Sequence, residues 1–173
     1  MKTFRFTTFT ATAAAATLLI TGCGYDPGTV EDGGERRQQI EEAQEAGSEE
    51  TDRQMTAHLL ADAHALVEIS GAIMADPETP QEMWDIADRV QVLSTGQLGS
   101  LPEEFQEGGS AAIDPATVLD AEDPNAAYIE LLQSDLPRLS SAWGELEDAQ
   151  NETLSTTARM SVEEIDAIEQ MLP

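Results

Sequence analysis

Apolar side chains recur along this chain with a helical period and nowhere with the alternation of a strand. Met55, Leu59, Leu66, Ile69 and Ile73 form one stripe, widened by Leu60, Val67 and Met74. This predicts an amphipathic helix over residues 49–75 with two neighbours. Asp76-Pro77 ends it, because the residue before a proline is pushed out of the α region. Thr79-Pro80-Gln81-Glu82 predicts a restart with Thr79 as N-cap. Met83, Ile86, Val90, Leu93, Gln97 and Leu101 then line one face of a second helix that Pro102 closes. Residues 103–123 carry Gly108-Gly109, Pro115 and only scattered apolar positions, and they read as a long connection with one helical turn over 115–119. Asp123-Pro124 opens a third helix, whose row is Tyr128, Leu132, Leu136, Leu139, Trp143 and Leu146. Pro137 inside it predicts a kink or break, with Ser134 and Asp135 placed to cap a restart. Ser161-Val162-Glu163-Glu164 reads as a capping box opening a short last helix with Ile165, Ile168 and Leu172. The fold class expected is all-α, a small antiparallel bundle of three to four helices.

Ahead of this body the pattern changes. Residues 35–45 are polar helix formers with Ile40 as their only apolar anchor, and Gly47-Ser48 is expected to break any helix there. Residues 24–34 are rich in Gly, Asp and Pro. Together, residues 23–48 read as a flexible acidic tether ahead of a helical domain at 49–173. Residues 1–22 have the layout of a secretory signal: Lys2 and Arg5, then an apolar run from Ala11 to Ile20. That run, about 10 residues long, falls short of the roughly 20 that span a bilayer.

Ile20-Thr21-Gly22-Cys23 resembles the bacterial lipobox, a branched aliphatic and two small residues before a cysteine. The resemblance implies a diacylglyceryl group on the Cys23 thiol, cleavage after Gly22 and acylation of the new amino terminus. Cys23 is the only cysteine, so no disulfide can form within the chain. It also implies a cell-envelope location. Gly24 rather than Asp after Cys23 points to the outer membrane in enteric-type bacteria, with the body facing the periplasm.

Cleavage would leave 151 residues with six arginines, no lysine and 34 carboxylates, a formal charge of −28. Such a surface repels nucleic acid and anionic lipid, which leaves the lipid anchor as the route to the membrane. Acidity without lysine also resembles the surfaces of proteins from salty habitats. The sequence carries no phosphate-binding loop and no nucleophile elbow, so no catalytic residue is assigned and a non-enzymatic envelope interaction module is expected.

Two candidate sites remain. His58 and Asp62 stand four residues apart, a spacing that suits a shared metal, and Asp62 falls inside the apolar stripe. A buried carboxylate must be paired or liganded, and the competing reading is an Asp62 that reaches solvent or bonds His58. His64 and Glu68 lie off the stripe and read as a solvated pair. On the second helix, Trp84 and Val92 lie off the main stripe, roughly 80° apart. Trp84 either packs on another helix or stands exposed, and the second case makes it a partner-binding residue.

Met55-Thr56-Ala57-His58, Ala75-Asp76-Pro77-Glu78 and Ala87-Asp88-Arg89-Val90 are similar to half of a duplicated ferritin-like family of exported bacterial proteins. Met160-Ser161-Val162-Glu163-Glu164 is similar to the segment opening that family's second half. The resemblance implies a helical bundle and, as the alternative function, a metal-binding envelope domain using His58 and Asp62. Leu59 stands where that family has a second histidine.

Overall fold

The structure is a computed structural model that describes the backbone from Asp32 to Pro173 and the side-chain surroundings from Glu45 onward. The signal segment and Cys23 lie outside the described residues. All regular elements among those described are helical: α1 (Asp32–Ala75), α2 (Gln81–Ser100), the single turn α3 (Ala116–Leu119), α4 (Pro124–Glu145) and α5 (Glu152–Glu169), plus a 3-10 turn at Glu103–Phe105. The expected all-α bundle is present, with four long helices and one short one.

Side-chain pairings fix the topology. Ser70 reaches Tyr128 and Asp62 reaches Arg138, so α1 and α4 run antiparallel. Gln97 meets Ser161 while Arg89 meets Glu164 and Met171, so α2 and α5 are antiparallel too. The amide of Gln133 donates to the Pro173 carbonyl, the corresponding pairing of α4 with the chain end beyond α5. The helices therefore form a ring in the order α1, α2, α5, α4, and every neighbour points the opposite way. Going along the chain, this is up, down, down, up. Residues 101–123 must climb the height of the bundle to bring α4 back to the top, which is why the connection is long.

The apolar rows meet inside the ring. Leu59, Leu60, Leu66, Ile69 and Ile73 from α1 face Ile86, Ala87 and Val90 from α2. The whole α4 row is buried, and Leu154, Ala158, Ile165 and Ile168 complete the core from α5. Phe105, Ile113 and Val118 are the buried anchors of the crossover. Burial pushes the Tyr128 hydroxyl well above the usual phenol range, partly offset by its 2.8 Å hydrogen bond with Ser70.

The helix boundaries differ from expectation in four places. First, α1 runs unbroken through Gly47 and Ser48, so residues 32–48 are helical rather than a loose tether. A glycine costs about 1 kcal/mol there, while each further residue joined to a nucleated helix gains a hydrogen bond. The Thr51 hydroxyl also donates to the Gly47 carbonyl. Second, Thr79 does not cap α2. Its hydroxyl donates to the Ile73 carbonyl at the end of α1, and Pro80 holds the N-cap position. Third, α4 passes through Pro137 without a break, and Asp123 caps its start by accepting from the Ala126 amide as expected. Ser134 donates to the Leu131 carbonyl instead of capping a restart. Fourth, α5 starts at an Asn151 cap that accepts from the Leu154 amide, about ten residues before the capping box. Ser161 lies mid-helix and buried, donating to the Thr157 carbonyl.

Candidate functional site

The two polar residues picked out on α1 point to one side and hold the crossover. Asp62 is 2% exposed. One of its oxygens accepts from the Ala112 amide at 2.6 Å and the Ile113 amide at 3.0 Å. The other accepts from Arg138 Nη2 at 2.9 Å. His58, one turn earlier and exposed, has Nδ1 within 3.0 Å of both the amide and the carbonyl oxygen of Ser110. The spacing of four does put both on one face, and what they grip is backbone. Asp62 therefore neither reaches solvent nor bonds His58.

The glycine pair lets the strand of chain come this close. Gly108 has φ +83, a backbone state that favours glycine. A Cβ on Gly109 would overlap the Ala57 carbonyl and stand 2.9 Å from the His58 nitrogen. Gly108 turns the chain, Gly109 slides over the α1 backbone, and His58 and Asp62 catch the next residues. Arg138 completes the clasp from α4, bridging Asp62 and Asp135. Partial burial lowers its pKa, but the hydrogen bonds to Asp135 and Asp62 outweigh that and hold it above the usual guanidinium value. Among the described residues, no group of three or more His, Cys, Asp or Glu side chains is placed to hold a metal ion. His64 and Glu68 are both exposed.

On the opposite side of the ring, α2 and α5 leave a groove between them. Trp84 is 39% exposed, among the exposed large apolar residues. It does not line the groove to which Val92 belongs. Val92 joins Met160 of α5 in a groove of about 540 Å³, lined also by Leu93, Gly96, Thr157 and Glu163. Val92 and Met160 are each 65% exposed. The floor is sealed by a buried bridge in which Gln97 Nε2 donates to Ser161 Oγ at 2.9 Å. Gly96 keeps the α2 wall low, with nothing within 4 Å of where its Cβ would stand. Nothing in the sequence marked Met160 as a surface residue, because it lies off the apolar row of its own helix and gains that meaning only beside α2.

No helix among the described residues is long and apolar enough to cross a membrane. Comparison with family models, curated proteins and solved structures returned no match.

Proposed function

We propose that this chain is a lipid-anchored protein of the bacterial cell envelope whose helical body serves as a non-enzymatic interaction module. The observation that carries the anchor is Ile20-Thr21-Gly22-Cys23 at the end of a charged and then apolar leader. Acylation at two positions would hold the chain at the membrane far more firmly than the marginal binding of one acyl chain. The interaction half of the reading is supported by the exposed apolar residues Trp84, Val92 and Met160 on an otherwise strongly acidic body. His58 and Asp62 fit a structural role in this reading, since the crossover takes one Asp62 oxygen and the His58 Nδ1 while Arg138 of α4 takes the other Asp62 oxygen.

Mass spectrometry of the amino-terminal peptide tests the anchor. An acylated Cys23 following loss of residues 1–22 is the expected result, and Cys23→Ser is expected to move the protein out of the lipid-anchored membrane fraction. An unacylated cysteine with unchanged fractionation would overturn it.

A further inference from the structure

We infer that the groove between α2 and α5 receives the apolar face of a cationic amphipathic helix from a partner protein. This rests on the interaction-module reading and names the surface and the chemistry of its occupant. The groove combines two features. Its lower part is apolar and adaptable: Val92 and Leu93 on one wall, Met160 on the other, and an open notch at Gly96. Exposed methionine repacks around differently shaped apolar side chains, which suits a surface that takes a helix face.

The upper part is carboxylate. Asp85 and Asp88 lie two turns and one turn before Val92 on the outward side of α2, both exposed. Across the seam, Glu163 and Glu164 follow Met160 by three and four residues, within one turn. Two arginines lie near it: Arg89, already held by Glu164, and exposed Arg159, one turn before Glu163 on α5, so Asp85 and Asp88 are the carboxylates left most open to a partner's cations. The hydrogen bond to Glu164 and the attraction of the Glu164 charge raise the Arg89 pKa. A helix with an apolar row and basic residues beside it would seat the row on Val92 and Met160 and bring its cations to Asp85 and Asp88.

Charge selects among the occupants. From Glu45 to Pro173 the chain has four arginines against 28 carboxylates. A second copy would bring two such surfaces together, and an acidic or phosphate-bearing ligand meets the same repulsion. A cationic partner gains from the field that excludes the others.

The test titrates the full chain with a synthetic leucine–lysine peptide that places leucines on one helical face, in about 0.15 M salt to screen diffuse attraction. Its leucine–glutamate counterpart and a lysine peptide with the leucines out of helical register are the comparison ligands. The leucine–lysine peptide is expected to bind, and each comparison peptide to bind at least about tenfold more weakly. Gly96→Gln fills the notch without changing charge and places a good helix former in an open position, so the fold is expected to persist. It should weaken binding about tenfold or more, as should Met160→Gln, which provides the same reading should Gly96→Gln disturb the helix. His64→Ala, exposed on α1 and outside the groove, should leave the affinity within about twofold. Affinity unchanged in both groove variants, or equal binding of the out-of-register peptide, would overturn the groove as the site. Loss of binding in Trp84→Ala alone would move the site to Trp84. None of these outcomes depends on acylation, so failure here is separate from failure of the anchor at Cys23.

Discussion

A carboxylate moved out of water loses several kcal/mol of hydration unless charge and hydrogen bonds replace it. Asp62 recovers that loss through two amides and a guanidinium, and one side chain thereby joins α1, the crossover and α4. Its two oxygens have separable roles. Asp62→Asn retains an acceptor for Ala112 and Ile113 but sets a neutral amide against Arg138, and it is expected to cost about 1–2 kcal/mol in urea unfolding. Asp62→Ala strands both amides and the arginine, with an expected cost of about 2–4 kcal/mol, below the full buried-pair range because Arg138 is partly in water. Amide hydrogen exchange at Ala112 and Ile113 should rise sharply in the alanine variant and little in the asparagine variant. Equal exchange in the two would show that Arg138, not the amides, accounts for the effect.

At the scale of the helix, periodicity was a good guide to faces and a poor guide to ends. The rows of α1, α2 and α4 could be read directly because each apolar side chain reports its own phase. Ends depend on which polar group meets which backbone atom, and here tertiary contacts decided. Thr79 turned back to α1, and Ser161 was drawn into a buried bridge with Gln97. The clasp was half legible: Asp62 stood out as a carboxylate in an apolar stripe, but its partners lie 50 and 76 residues away. The groove was illegible for the same reason, since Val92 and Met160 belong to different helices and neither row contains them. Gly47 offers a test of helix continuity. Its Cβ position is open, so Gly47→Ala should raise the helical signal in circular dichroism and add up to about 1 kcal/mol of local stability. No change in helicity would mean that the segment before it does not propagate from the body.

For the molecule as a whole, charge opposes compaction. The complete sequence carries a formal charge of −26, and Arg53, Arg89 and Arg138 are already engaged in ion pairs. Repulsion among the remaining carboxylates is screened over about 30 Å at 0.01 M salt and about 3 Å at 1 M. Individual like-charge neighbours on a helix cost about 0.2–0.5 kcal/mol, and many such terms act together. Urea unfolding in 0.01 M and 1 M NaCl should therefore differ by on the order of 1–2 kcal/mol in favour of high salt. Coincident curves would remove self-repulsion from the account of this fold.

The unbroken start of α1 also bears on how the body meets anything near it. As helix, residues 32–48 span about 25 Å at 1.5 Å per residue. A flexible chain of that length would average about 23 Å end to end, so the mean stand-off is nearly the same. What differs is the volume searched. A body on a slack leash fills the volume around its attachment, whereas one on a rod is held at a set distance from the point where the rod begins, at Asp32. That constraint raises the effective concentration of the α2–α5 groove for a target at that distance from the start of the rod and lowers it for one much nearer.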